Sequence, residues 1–347
     1  MPSRRESRGS GADTVRVGVD GMNSQAHEES NDGTRVASRS DVGRVRTFNE
    51  DSCGSFMRAD GVRLLVVADG MGGHRGGATA SREALATIAA AFEESGSRGA
   101  HDPHETLREA IERANGRVHS MSTANPELAG MGTTVVAFLL DTSGIGAVAH
   151  VGDSRAYRYR AGRLEALTTD HSVVAEMLKR GVLTAEEAAY HPRRNEILRS
   201  VGVSEQVEVE VSAVDIAAGD RILLCSDGLC GVISDSDIGE ILASATSAEE
   251  AVDALVERAN DFGGPDNITV ELLVVSLGWQ SGPRAPTAAG SGVGAELAVG
   301  TTGSSSAAGR PGAVAQFPRE SGARESAIKI ALLALVIAGA YWLYRSA

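Results

Sequence analysis

The clearest pattern along the chain is a set of short, almost wholly apolar runs that stop abruptly at an acidic residue. Leu64-Leu65-Val66-Val67-Ala68 runs into Asp69 and Gly70, and Ile222-Leu223-Leu224-Cys225 runs into Ser226, Asp227 and Gly228. Short Val/Ile/Leu-rich runs bounded by Gly, Asp or Ser read as buried strands. The same reading predicts strands at 34–39, 53–58, 63–68, 133–141, 144–151, 154–160, 206–212, 220–225 and 268–276. Apolar residues spaced by three and four predict helices at 78–95, 103–122, 172–180, 184–190, 235–244 and 247–261. Thr184-Ala185-Glu186-Glu187 and Ser247-Ala248-Glu249-Glu250 both have the form of a capping box at a helix start. Helices fall in pairs between runs of strands rather than alternating with them. That order predicts an α+β fold in which antiparallel sheets pack together and helices lie outside.

The two ends differ from this middle. Residues 1–33 are rich in Ser, Gly, Arg and Glu and lack an apolar stretch, so they read as a disordered leader and not a secretory signal. Residues 34–278 form the folded domain, and 279–326, dominated by Gly, Ala, Ser, Pro and Thr, read as a flexible linker. In the stretch 327–344, Ile330 to Leu343 carries no charge, and as a helix it has no polar face. As a helix rising about 1.5 Å per residue the whole stretch spans roughly 27 Å, close to the thickness of a hydrocarbon core. A C-terminal transmembrane helix is expected, with a buried C-terminal helix as the alternative. Lys329 and Arg345 stand at its ends, and Tyr341, Trp342 and Tyr344 suit an interface. Arg319, Arg324 and Lys329 precede it against Arg345 after it, which places the folded domain in the cytoplasm, tethered to the cell membrane by a single pass.

Composition narrows the function. The 347 residues are 42% hydrophobic but only 4% aromatic, so the core is aliphatic. A formal charge of -13 argues against nucleic acid as the main partner, because phosphate backbones are bound by clustered Lys and Arg. Cys53, Cys225 and Cys230 form neither a metal pattern nor an even disulfide framework, and fit a reducing compartment.

The acidic strand ends recur. Glu50 and Asp51 stand just before a strand, Asp153 lies in the turn Gly152-Asp153-Ser154-Arg155, and Asp266 with Asn267 opens the last strand. One Asp at a strand end is an ordinary turn residue. Acids at several such ends, if the ends converge, repel one another unless an oxygen-seeking cation joins them. Carboxylates without a Cys or His set favour Mg²⁺ or Mn²⁺ over zinc. Gly70 lets the backbone approach closely, so its carbonyl is a further candidate ligand. Two such ions roughly 3.5–4 Å apart acidify a shared water. The glycines of Gly70-Met71-Gly72-Gly73 lack the lysine and spacing of a nucleotide P-loop.

Seven segments occur in order: SDVGRVRTFNEDS, VADGMGGH, GTT, VGDSRAYR, TTDHS, SDGL and GPDNITV. Together they resemble the metal-dependent (PPM, type 2C) Ser/Thr protein phosphatases in their bacterial form, over about residues 35–276. The resemblance implies an antiparallel β-sandwich flanked by helix pairs, in four layers. It implies hydrolysis of phosphoserine and phosphothreonine in proteins by water activated at two Mn²⁺ or Mg²⁺ ions, with a third in bacterial members. It also implies phosphorylated protein partners, among them a cognate Ser/Thr kinase. Carried over, Asp69 bridges the two ions and the Gly70 carbonyl binds one. Asp227 and Asp266 complete the other, and Glu50 and Asp51 hold ion-bound waters or an ion directly. Asp153 holds the third ion with the Asp227 region. Arg46 binds the substrate phosphate, for which a planar guanidinium fork is suited, and His74 is the general acid. Residues 171–202 resemble the family's flap. A specialised phosphatase for one regulatory partner and a non-catalytic, membrane-tethered relative are the competing readings.

Overall fold

The computed structural model describes residues 25–26, 33–73, 75–96 and 102–280. In chain order the elements are β1 (Gln25–Ala26), β2 (Thr34–Asp41), β3 (Ser52–Met57), β4 (Arg63–Ala68), β5 (Gly70–Met71), α1 (Gly76–Gly96) and α2 (Pro103–Ala124). A 3-10 turn (Pro126–Leu128) leads to β6 (Gly132–Thr133), β7 (Val135–Leu140), β8 (Ile145–Val151), β9 (Arg155–Arg160), β10 (Arg163–Ala166), α3 (Val173–Lys179) and α4 (Ala185–Ala189). The chain continues through β11 (Glu210–Asp215), β12 (Arg221–Cys225), α5 (Asp227–Cys230), α6 (Asp235–Ser244), α7 (Ala248–Asp261) and β13 (Ile268–Val275).

The strands form one sheet in the order β1-β2-β13-β12-β9-β10 and a second in the order β11-β8-β7-β4-β3, with β5 and β6 as a small ribbon. Neighbours pair antiparallel throughout. Alternation along the buried strands builds the layers. Leu65 and Val67 of β4, with Val136 and Phe138 of β7, meet Ile222 and Leu224 of β12 and Leu273 of β13 between the sheets. The opposite faces carry the helices. Leu64 and Val66 pack beneath Leu85, Ile88 and Phe92 of α1 and Ile111 of α2. Leu223, Val270 and Leu272 pack beneath Leu242 of α6 and Val252, Leu255 and Val256 of α7. This is the expected α+β sandwich, with helices outside both sheets.

Some expectations shift. The strand expected at 206–212 is β11, Glu210–Asp215. Val207 and Val209, in the first half of the expected range, pack their side chains on the α1–α2 core, whereas backbone pairing begins opposite His150, near the end of β8. Thr184 forms its full capping box with Glu187. At α7 only half of the expected box forms. Ser247 accepts from Glu250 N–H, but the Glu250 carboxylate turns back to Thr246 N–H and Oγ1. No helix among the described residues is long and apolar enough to cross a membrane. Most of the leader, most of the linker and the apolar stretch 327–344 lie outside the described residues.

Candidate active site

Antiparallel register brings the acidic strand ends to one end of the sandwich. Ser52 of β3 stands opposite Ala68 of β4, which aligns Asp51 with Asp69. Cys225 of β12 stands opposite Val270 of β13 and Arg155 of β9, which brings Asp227, Asp266 and Asp153 to the same end of the other sheet. The groups sense one another electrostatically. Burial holds the Asp69 carboxyl well above its ordinary range, and the charges of Asp51, Asp227, Asp153 and Asp266 add to that. Burial also pushes Asp51 up to about 7, helped by Asp227 and Asp266. Asp153 rises to about 7 through burial and the charges of Asp227 and Asp170. Asp227 is raised by burial and by Asp266. Asp51 Oδ1 and Asp227 Oδ1 are buried without a hydrogen-bond partner among the described residues. Buried polar atoms are normally satisfied, so two carboxylate oxygens left over in a cluster of like charges are what a hard-cation site requires.

The backbone around the cluster is tightly fixed. Asp69 N–H donates to Thr134 Oγ1 (3.1 Å), and Thr134 N–H returns a bond to the Asp69 carbonyl (2.8 Å). Thr134 Oγ1 also meets Ser154 Oγ at 2.7 Å, tying Asp69 to the turn that carries Asp153. Ser226 Oγ donates to Asp51 Oδ2 (2.9 Å), linking the two sheets through the site. A Cβ on Gly70 would lie 2.2 Å from the Gly77 carbonyl oxygen and 2.5 Å from that of Glu50, so only glycine fits there. Glu50 is buried, and its N–H donates to Asn267 Oδ1 (2.9 Å). Asn267 Nδ2 in turn donates to the carbonyls of Val42 (3.0 Å) and Phe48 (2.9 Å), which anchors the loop bearing Arg46. Arg46 reaches the rim, half exposed, with Nη2 on Asp266 Oδ2 at 2.7 Å. His74 lies outside the described residues.

A second group of metal-ligand types sits behind the cluster. His150, His171 and Glu210 bring candidate ligand atoms within 4.8 Å of one another. Arg199 Nη1 already stands 3.3 Å from His171 Nε2 and supplies the positive charge there. The imidazoles stack, with centroids 4.3 Å apart, and bond backbone: His150 Nε2 meets the Thr169 carbonyl, and His171 Nδ1 accepts from Gly152 N–H.

This geometry has close relatives. The sequence description of protein phosphatase 2C matches residues 43–264. The serine/threonine phosphatase stp of Listeria welshimeri is 41% identical over 240 residues, covering 69% of this chain and 95% of that protein. The chain belongs to the protein phosphatase 2C family. Among solved structures, the Mycobacterium tuberculosis serine/threonine phosphatase PstP/Ppp is 37% identical with a TM-score of 0.64, covering 70% of this chain and 99% of that one. The catalytic domain of PstP in complex with two manganese ions is likewise 37% identical, with a TM-score of 0.62 over 70% of this chain and 98% of that one. The chain is therefore a bacterial-type, metal-dependent Ser/Thr phosphatase.

The sequence reading of this phosphatase missed the residues that hold the acids in place. Thr134, Ser226 and Asn267 touch the cluster's backbone or carboxylates, and each is 4% exposed or less. Arg155 grips Asp170 through two bonds of 2.7 Å beside Asp153. The sequence signal for Ser226, Asn267 and Arg155 was proximity to the acids, in SDG, PDN and DSR, whereas Thr134 was carried only by the GTT segment, which has no acid beside it. Beside the cluster a cavity of about 540 Å³ runs from Asp153 and Asp227 to Val174, Leu178, Tyr190 and Arg194 of the flap-like segment.

Proposed function

We propose that the enzyme hydrolyses phosphoserine and phosphothreonine in proteins at this carboxylate cluster, with two Mn²⁺ or Mg²⁺ ions and a third at Asp153. The observation that carries the reading is the convergence of Asp51, Asp69, Asp153, Asp227 and Asp266, with buried oxygens of Asp51 and Asp227 left unpartnered among the described residues. Asp69 and the Gly70 carbonyl, Asp227, Asp266, and Glu50 with Asp51 are the candidate ligands of the pair. When bound, the ions acidify water near neutral pH and offset the charge of the phosphoryl group. Arg46 presents its guanidinium at the cluster's rim, where a planar fork of donors orients phosphate oxygens and stabilises charge developing on them. Thr134, Ser226 and Asn267 keep the acids at fixed spacing, so little reorganisation is needed at the moment of reaction. His74 adjoins the glycine turn after Asp69 in sequence and is assigned to protonating the leaving seryl or threonyl oxygen.

The remaining features complete the proposal. Residues 327–344 anchor the chain in the cell membrane, 279–326 are the tether, and the phosphatase domain (34–278) faces the cytoplasm behind the leader of residues 1–33. A cognate Ser/Thr kinase and its targets are the fitting partners. The test is phosphate release from a phosphothreonine peptide by the full chain. Release with Mn²⁺ that stops with chelator is expected. Release that ignores the chelator overturns the cation reading.

A further inference from the structure

The turn between β8 and β9 that presents Asp153 is held from two sides. On one side Gly152 (φ +111°) presses on Thr134, so that an added Cβ would lie 2.6 Å from Thr134 Cγ2. On the other side stands His171, 8% exposed. His171 N–H donates to the Gly152 carbonyl (2.9 Å), and Gly152 N–H donates to His171 Nδ1 (3.2 Å). One residue thus takes both backbone polar groups of the glycine that precedes Asp153. We propose that His171 is a positioning residue: it clamps Gly152 so that the Asp153 carboxylate is fixed beside Asp227, and thereby sets the affinity for the third cation. The inference rests on the assignment of Asp153 to that cation.

The surroundings of the ring maintain the clamp. Because Nδ1 accepts, the ring proton is on Nε2, and Nε2 faces Glu210 Oε2 at 3.3 Å. A carboxylate on the far nitrogen selects the tautomer whose near nitrogen is free to accept. Arg199, held by Glu208 Oε2 at 2.8 Å from Nη2, also brings Nη1 to 3.3 Å from Nε2; both atoms carry protons in this tautomer, so the Glu210 carboxylate is what holds the proton on Nε2. His150 stacks on the ring, so it cannot rotate away. Burial of both imidazoles favours their neutral forms. The same residue gathers the ends of the flap-like segment. Leu198 N–H donates to the His171 carbonyl (2.7 Å), and Val173 N–H donates to the Glu196 carbonyl (2.9 Å). The base of that segment and the Asp153 turn therefore meet at His171, through its backbone carbonyl on one side and its N–H and Nδ1 on the other.

The experiment is a calorimetric Mn²⁺ titration of the full chain, reading each binding step, with thermal melts alongside. In His171→Leu the weakest step is expected to weaken about 10- to 100-fold, the usual cost of losing a group that orients a ligand. The tighter steps stay near their wild-type affinities. His171→Asn, whose Oδ1 can still accept from Gly152 N–H, is expected to recover most of the loss. An unchanged weak step in folded His171→Leu overturns the clamp, and so does His171→Asn behaving like His171→Leu. If His171→Leu does not fold, Glu210→Ala decides. It frees the ring to move its proton to Nδ1, so a weakened third step supports the clamp and an unchanged one overturns it. Asp153→Asn separates the two claims. If that variant keeps the weak step, the assignment of Asp153 fails, and this inference fails with it.

Discussion

Among single residues, two kinds of buried acid separate structure from function. Asp227 belongs to a cluster, with a buried oxygen that no described protein group satisfies. Glu271 lies apart from that cluster on β13, fully buried, with Oε2 accepting from Val66 N–H at 3.2 Å; its Oε1 also lacks a partner among the described residues, but no second acid raises its carboxyl. Burial pushes the Glu271 carboxyl from 4.5 up to about 8, against the pull of that hydrogen bond and the nearby Arg63. The folded chain therefore holds a proton that the unfolded chain has released between those values. Stability falls as pH rises through that window, and the penalty is complete above about 8. Glutamine copies the neutral acid, so Glu271→Gln is expected to flatten the fall in melting temperature between pH 5 and 8 and to raise it most at the alkaline end. A variant that melts in parallel with wild type at every pH would show that Glu271 does not titrate in this range.

At the scale of elements, the site depends on how closely strand ends approach the segments after them. Gly70 and Gly77 meet where β5 leaves β4 and α1 begins, with the Glu50 backbone between them. Gly70→Ala places a carbon inside contact distance of two carbonyl oxygens. It is expected to cost about 1–3 kcal/mol by overpacking and to reduce Mn²⁺-dependent turnover more than tenfold, read by denaturant melts and phosphate release. Near-wild-type turnover would mean that the Gly70 carbonyl is not part of the cation site. These elements were legible to different degrees. β4, β12 and β13 were evident because both faces are buried, which makes their sequences continuous apolar runs. β10 was missed because Arg163-Leu164-Glu165-Ala166 is a largely exposed edge with no buried period. The acids at the strand ends were readable one by one. Their meeting was not, because it depends on pairing between β12 and β9, far apart in sequence. The clamp by His171 was equally invisible, since it joins side chain to backbone across a turn.

For the whole molecule, the sandwich carries the chemistry at one end, and the proposed membrane attachment is made by residues 327–344, later in the chain. Fractionation of cells tests that division. Full-length chain is expected with the membranes, and a chain ending at Gln280 in the soluble fraction with its phosphatase activity intact. Full-length protein in the soluble fraction would remove the anchor and leave the catalytic account untouched. Whether the converging carboxylates hold the catalytic cations is decided by comparing two variants in one assay. Phosphate release from a phosphothreonine peptide is measured against Mn²⁺ concentration for wild type, Asp227→Asn and Glu271→Gln. Both variants remove one buried acid. Near-complete loss in Asp227→Asn with wild-type release in Glu271→Gln is the expected result. Wild-type release by Asp227→Asn would contradict the account.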